Sequence, residues 1–366
     1  MESVTVSAPR QAQQRDISPA YARISMAAAI TLGLKPGRFL RDCACGCINL
    51  LQVYPEGCFA NCAYCGLARK RPGAPESNSF IRVAWPVYST ALIARCIAEK
   101  DRREEVGRVC ISQVQDHRAN GDLLSMVEVV HEAAPRVPIA ALVNATTMDA
   151  AWLARLKEAG VTNIGIGLDG ASPEIFERRR GRAAGGPHTW ARHRDVARLA
   201  QSMFGPWNVN CHVIVGLGET DRDLIRLFES LKRECISAYL FSFNPEAGTA
   251  MQDVPRQPIT RHRRIQLAKH LIETGGIDGS SIAHDTRGLI AGFDANPHLI
   301  HEAVRSGVPF MTNGCPDRHG SLACNRPYGS YRPGEEYRDY PFQPGNEDLH
   351  EIRWQLKLEE ICPAFA

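Results

Sequence analysis

From residue 48 to residue 244 the chain alternates short apolar segments with helical ones, and this alternation narrows the possible folds most sharply. The apolar segments are 48–54, 108–114, 138–144, 163–168, 208–215 and 237–244. Each is almost continuously apolar, as a strand covered on both faces has to be. Between them lie helical stretches near 86–99, 123–134, 148–159, from 173, 188–203 and 221–234. Gly160 follows one of these where a helix C-terminus favours glycine. Strand and helix alternating at this spacing imply parallel βαβ units. Six such units are too few for an ordinary closed eight-fold barrel. After Pro258 the pattern continues with a helix to about 274, a strand-like 281–283 and a helix at 297–306. A loop rich in Gly, Pro and Cys (310–344) and a helix at 347–360 come next, and the whole reads as an appendage packed on the main body. No internal repeat stands out.

The composition bounds the chemistry. A chain of 366 residues allows one large domain or two small ones. Its 44 % apolar and 23 % charged residues are ordinary for a soluble globular enzyme. No apolar stretch approaches the roughly 20 residues of a membrane span. Residues 1–15 are polar, lack the apolar core of a secretory signal, and read as a disordered lead-in. Thirteen cysteines, an odd number, point to a reducing cytoplasm and metal chemistry rather than a disulfide framework. The net charge of +3 says little. The runs Arg178-Arg179-Arg180 and Arg261-His262-Arg263-Arg264 read more simply as solvated helix faces than as phosphate contacts, so neither a nucleic acid nor a membrane is an expected partner.

Cys58, Cys62 and Cys65 stand as C-x3-C-x2-C in the loop after the apolar segment 48–54. Three thiolates this close can hold three irons of a [4Fe-4S] cluster and leave the fourth open to a ligand. Zinc would want a fourth local ligand and paired C-x2-C knuckles. A non-enzymatic iron–sulfur or zinc protein is the alternative of another class.

With an aromatic residue, Tyr64, just before the last cysteine, this motif resembles that of the radical S-adenosylmethionine (SAM) superfamily. The run Gly216-Leu217-Gly218-Glu219-Thr220 resembles the GLGET form found in biotin and lipoyl synthases. The resemblance implies an α/β fold, a partial (β/α)6 barrel of the TIM type with N- and C-terminal extensions. The divisions expected are a lead-in at 1–42, the barrel at 43–258 and an extension at 259–366. It implies that SAM chelates the open iron and is cleaved by one electron to a 5′-deoxyadenosyl radical, which abstracts hydrogen from an unreactive carbon. Carried over residue by residue, it places Tyr64 near the adenine and lets the Gly216 and Gly218 backbone approach it. Asp169 would accept from the ribose. Gln113, with Gln115, would replace the family's absent GGE motif. Glu219 and Asp221 can equally cap the next helix. Ser172 before Pro173 reads as an N-cap.

Two further cysteine groups flank this core. Cys43, Cys45 and Cys47 alternate before the first apolar segment, where an extended chain puts all three thiols on one face. Cys315 and Cys324 lie in the C-terminal loop. Both groups are expected to reach the barrel mouth and together supply a second, auxiliary Fe-S cluster, with Ser330 a weak further candidate. Cys96, Cys110, Cys211 and Cys235 read as small core residues. A second cluster beside a SAM site resembles the sulfur-inserting members, above all the two-component lipoyl synthases. That implies a sulfurtransferase acting on an octanoyl chain carried on a protein lysine, a second radical SAM partner, and an electron donor such as ferredoxin or flavodoxin. Arg326, Arg332 and Arg338 are candidates to dock the acidic carrier. Biotin-type sulfur insertion, lyase chemistry, rearrangement and methylation are rival radical SAM reactions. No general acid or base is evident, and His212 reads as a core residue.

Overall fold

The computed structural model describes residues 17–72, 80, 81, 83–329 and 335–362. The elements are β1 (Tyr21–Ile24), α1 (Met26–Thr31), β2 (Cys47–Leu51), β3 (Val87–Ser89), α2 (Thr90–Asp101), β4 (Arg108–Ser112), α3 (Ala119–Ala133), β5 (Ile139–Val143) and α4 (Ala150–Glu158). They continue with β6 (Val161–Asp169), α5 (Pro173–Arg179), α6 (Trp190–Phe204), β7 (Val209–Val215), α7 (Asp221–Arg233), β8 (Ser237–Ser242) and α8 (Ile259–Glu273). Last come β9 (Ile282–His284), β10 (Ile290–Phe293), α9 (Pro297–Ser306), α10 (Asn346–Leu356) and α11 (Leu358–Ile361).

One sheet of eight strands runs β3-β1-β2-β4-β5-β6-β7-β8. The strands from β2 to β8 pair in parallel, whereas β1 pairs antiparallel with both β2 and β3. The parallel part is the partial (β/α)6 architecture, and the sheet does not close on itself. The free edge of β8 is covered instead: Leu240 N donates to Asn313 Oδ1 at 3.4 Å, and Arg326 Nη2 donates to the Leu240 carbonyl at 3.4 Å. Satisfying these edge groups prevents pairing with a foreign strand.

The helices begin where side chains take up their orphan N–H groups. Ser89, Asp149, Ser172 and Thr189 each accept from the backbone N–H three residues on. Thr220 and Asp223 form a reciprocal capping box at α7. Along each parallel strand alternate residues face opposite ways. Val109 and Ile111 of β4 and Ile164, Ile166 and Leu168 of β6 turn outward to Ile93, Ile97, Leu123, Val127, Leu153 and Leu156 of the helices, all fully or almost fully buried. Burying each such side chain is worth about 1.5–3 kcal/mol. The other phase, which includes Arg108, Cys110, Ser112, Asn210 and His212, faces the lumen.

The segment read as a lead-in carries β1 and α1 in its second half, while residues 1–16 lie outside the described residues. A four-residue edge strand and a six-residue Ala-rich helix are too short to register as a period. The helix expected at 86–99 starts with the strand β3, which pairs with β1. The run Arg261 to Arg264 is not a solvated face. Arg263 is fully buried and donates to Gln355 Oε1 (2.7 Å), Gln266 Oε1 (2.8 Å) and the Arg338 carbonyl (2.7 Å), so it anchors the C-terminal appendage. That appendage also crosses the end of the barrel where the strands begin. Arg108 Nε donates to the Pro316 carbonyl (2.6 Å) and Asn325 Nδ2 to the Ala44 carbonyl (2.6 Å).

Candidate functional site

In a parallel sheet, the segments entering the strands and the segments leaving them lie at opposite ends of the barrel. The loop after β2 carries Cys58, Cys62 and Cys65 and lies at the C-terminal ends of the strands, where barrels of this type place their chemistry. The three thiols border one cavity together with Tyr64, Gln113, Gln115, Asp169 and Arg180. The cavity is open to solvent on one side, and its empty volume, solvent included, is about 1200 Å³. Cys58 and Cys62 are buried, and burial raises all three thiol pKa values, Cys62 to about 11. Gln115 N donates to Cys58 Sγ at 3.2 Å, an N–H···S bond of the kind that tunes iron–sulfur thiolates.

Tyr64 and Asp169 are held to one another. The Tyr64 hydroxyl donates to Asp169 Oδ2, and Arg180 Nη1 donates both to Asp169 Oδ2 and, at 3.1 Å, to the Tyr64 oxygen. Asp169 ends β6 with φ +60°, a left-handed conformation that turns the chain and directs its carboxylate to the lumen. Arg180 was not legible in the sequence, where its run reads as a solvated face. Burial works against its charge, but Cys62, Tyr64 and Asp169 around it more than offset that and raise its pKa.

Gln113 borders the cavity with its amide already used: Nε2 donates to Asn120 Oδ1 (2.9 Å) and Oε1 accepts from Asn144 N (2.8 Å). The group left open is Gln115 Oε1, buried without a partner among the described residues, as are Asn244 Oδ1 and Arg180 Nε on the same cavity. Gly216 and Gly218 stand behind the wall. A Cβ on Gly216, at φ +114°, would lie 2.9 Å from Phe243 Cβ and 2.8 Å from Gln257 Cγ, so this glycine serves packing and turn geometry. Glu219 does not cap α7; that is done by Thr220. The Glu219 carboxylate is buried and accepts from Gly216 N (2.8 Å), Leu217 N (2.8 Å) and Arg261 Nη2 (3.1 Å), bracing the glycine turn from behind.

A second cavity lies at the opposite end of the barrel, bordered by Cys45, Cys47, Cys110, Cys315, Cys324, Arg108 and Arg326. The two flanking cysteine groups therefore reach the floor and not the mouth, because Cys47 opens β2 and the C-terminal loop crosses the strand starts. Cys43 does not join them. It comes just after a helical turn at Leu40–Asp42, and its thiol faces the Pro341 carbonyl (3.4 Å) and Asn325 Nδ2 (3.5 Å). Cys110 does join them. The signal missed was its phase: Arg108, Cys110 and Ser112 are polar or small at period two within an apolar strand, the mark of a lumen face. Cys96 and Cys235 lie outside both cavities, and Cys211 is packed in the core. Cys315 Sγ accepts from Tyr239 OH and Asn210 Nδ2, both at 3.7 Å. The hydrogen bond between the Cys47 and Cys324 thiols lowers the Cys324 pKa to about 7 and raises that of Cys47. Ser330 and Arg332 lie outside the described residues. Arg326 sits over the Phe241 ring at 4.0 Å and Arg338 is buried, so neither is a surface cation.

The two cavities share Phe80, Ile81, Ser112, Leu142, His212 and Phe241 as common walls. His212 is a lumen residue there rather than a core one, and burial drops its pKa to about 3, so it is neutral. Strand β2 advances from Cys47 to Leu51 between the cysteine groups, four steps of about 3.3 Å or about 13 Å. Among the described residues no three His, Cys, Asp or Glu side chains converge on a single metal ion. A cluster asks for something different, one thiolate per iron.

Residues 53–231 match the Radical SAM superfamily. The chain is 25 % identical over 236 residues to biotin synthase 2 of Paracoccus denitrificans (strain Pd 1222), covering 62 % of this chain and 67 % of that protein. It is 27 % identical over 235 residues to biotin synthase of Synechococcus elongatus (strain ATCC 33912 / PCC 7942 / FACHB-805), covering 61 % and 66 %. The matches thus span about two thirds of these relatives. The crystal structure of methylornithine synthase superposes with a TM-score of 0.48 at 13 % identity, covering 68 % of this chain and 66 % of that one. Among the described residues no helix is long and apolar enough to cross a membrane.

Proposed function

Because residues 53–231 match the radical SAM superfamily, we propose that the chain inserts sulfur into an unactivated C–H of a protein-bound octanoyl chain, as in lipoyl synthesis. The observation that carries this reading is the pair of cysteine-lined cavities at the two ends of one barrel, joined by a largely apolar wall.

The residues fit the groups that the family implies. Cys58, Cys62 and Cys65 would hold a [4Fe-4S] cluster with one open iron. The unpartnered Gln115 Oε1 and Asn244 Oδ1, and the carboxylate of Asp169, offer acceptors for the amino and ribose groups of SAM. Cys47, Cys110, Cys315 and Cys324, with Cys45 as the spare, would hold the auxiliary cluster. Bound together, these groups would supply one-electron hydrogen abstraction at the mouth and sulfide at the floor. The protein's own part is to position and to exclude. Arg180 and Tyr64 fix the Asp169 carboxylate, the thiols are shielded from water, and the shared wall of Leu142, Phe80 and Phe241 suits an unbranched hydrocarbon. Neutral His212 puts no charge beside that hydrocarbon.

Biotin-type insertion is the second reading, and the identity to biotin synthases favours it. Anaerobic assays with an octanoyl-lysyl peptide and with dethiobiotin, read by mass spectrometry, separate the two. A mass gain of sulfur on the peptide supports the octanoyl reading, and sulfuration of dethiobiotin alone replaces it. If SAM leaves the EPR spectrum of the reduced cluster unchanged, the enzyme reading itself fails. An octanoylated carrier, a second radical SAM protein and a ferredoxin or flavodoxin are the partners proposed with this function. The place proposed for it is the cytoplasm.

A further inference from the structure

The basic run that the sequence presents at Arg178 to Arg182 meets a second basic run, Arg69 to Arg71, beside the cysteine loop. Ala63 N donates to the Arg179 carbonyl (2.9 Å) and Asn61 Nδ2 to the Ala184 carbonyl (2.8 Å), which ties the cysteine loop to the segment after α5. A Cβ on Gly185 would lie 3.1 Å from Lys70 Nζ, and one on Gly248 would lie 3.0 Å from Arg71 Nε. A Cβ on Gly218 would meet Arg178 and Arg179 at 3.7 and 3.6 Å. The cations therefore form a crescent over the loops that frame the mouth cavity. Lys70, Arg178 and Arg182 are exposed. Among the described residues none of these three, nor Arg71 or Arg179, has a carboxylate within ion-pair distance. Their neighbours show the contrast: Arg180 pairs with Asp169, and Arg261 with Glu219 and Asp221. The acid nearest in sequence, Glu177, is turned to Ala183 N at 3.3 Å. Burial, and after it repulsion from Arg178, lowers the Arg179 pKa.

We propose that this crescent is the docking surface for an acidic protein domain that delivers the substrate into the mouth cavity on a side chain. The inference rests on the reading of the substrate as protein-borne. Uncompensated like charges around a cavity cost the free protein repulsion and reward a partner of opposite sign. Beside them Phe59, 43 % exposed, provides an apolar anchor of the kind found at interface centres. A nucleic acid is disfavoured, because the net charge is only +3.

The experiment uses the cluster-loaded full chain and the variants K70E/R178E/R182E and K70Q/R178Q/R182Q. Arg180 is left in place because it borders the cavity, and Arg179 because it holds the Leu217 carbonyl of the glycine turn (2.8 Å). Binding of a fluorescent acidic lipoyl-carrier domain, without its acyl group, is followed by anisotropy at rising salt. Wild type is expected to bind with an affinity that falls steeply with ionic strength. The charge-reversed variant should lose at least about 10-fold and the neutral one an intermediate amount. Iron content and SAM binding should not change, which shows that the variants fold. Equal binding by all three proteins overturns the proposal. So does tighter competition by a single-stranded oligonucleotide than by the carrier domain. Turnover keeps the two readings apart: octanoylated carrier and a neutral octanoyl-lysyl peptide are compared as substrates. Loss of carrier turnover in K70E/R178E/R182E with peptide turnover retained supports the docking surface. Salt-dependent carrier binding without turnover of either substrate by wild type leaves the docking surface standing and sinks the octanoyl reading.

Discussion

Replacing Glu219 with alanine should loosen the mouth of the barrel without removing any group that borders the cavity. The carboxylate is fully buried and accepts three charge-assisted bonds: Gly216 N at 2.8 Å, Leu217 N at 2.8 Å and Arg261 Nη2 at 3.1 Å. Arg261 keeps Asp221 at 2.7 Å as a second partner, so its own charge is not orphaned. The loss is therefore mainly that of the two backbone N–H groups, each about 1.5–3 kcal/mol when the acceptor is charged. Together they put the penalty at about 4 kcal/mol, within the range for breaking a buried charged pair. For 366 residues at about 2.1 cal/mol/K per residue, each kcal/mol shifts Tm by about 1.3 °C, so Glu219→Ala should lower Tm by roughly 5 °C. Glu219→Gln keeps one acceptor and should fall between. Calorimetry of the chelated, iron-free proteins measures the shift. Hydrogen exchange at Leu217 should quicken in step. A Tm change below about 1 °C in Glu219→Ala would refute the bracing role.

Other perturbations separate the remaining elements. Cys110→Ala should remove about half the iron of the reconstituted protein, and Cys43→Ala should remove none; iron and sulfide analysis reads both. Asp169→Asn should weaken SAM binding roughly 10- to 100-fold, as the loss of about 1.5–3 kcal/mol from one charge-assisted bond implies, measured by equilibrium dialysis. His188 and His193 are buried and neutral, their pKa values driven down by burial to about 2 and about 3. The unfolded chain takes up a proton on each near pH 6.5. Their contribution is complete above that pH and lost as pH falls toward 3, at about 1.4 kcal/mol per pH unit for each. Denaturant midpoints measured from pH 7.5 to 5 should fall accordingly, and a His188→Gln/His193→Gln variant should show a flatter profile.

How much of this was written in the sequence depends on the range of the interaction. The six parallel strands and their helices were legible because each has a local period and a local cap, as with Ser172 before Pro173. Cys58, Cys62 and Cys65 were legible because the motif lies within one loop. The membership of the second cavity was not. Cys43 and Cys47 look alike on a period-two reading, yet the helical turn at Leu40–Asp42 sends Cys43 to Asn325 and Pro341 instead. Cys110 looked like a core residue because its strand is apolar, although its period-two phase with Arg108 and Ser112 marks the face that lines the second cavity. Arg180 and Arg263 stand in basic runs that read as solvated, while contacts far along the chain bury each of them. Charge runs carry no information about burial until the partners are placed.

The sharpest single measurement is Mössbauer spectroscopy with iron and sulfide analysis on three anaerobically reconstituted proteins: wild type, Cys58→Ala/Cys62→Ala/Cys65→Ala, and Cys47→Ala/Cys110→Ala/Cys315→Ala/Cys324→Ala. Two separate sites predict about two clusters in wild type and about one in each variant, with only the second variant keeping a spectrum that responds to SAM. One cluster in wild type, abolished by the first set of substitutions and untouched by the second, would contradict the two-site barrel and with it the proposal of sulfur insertion.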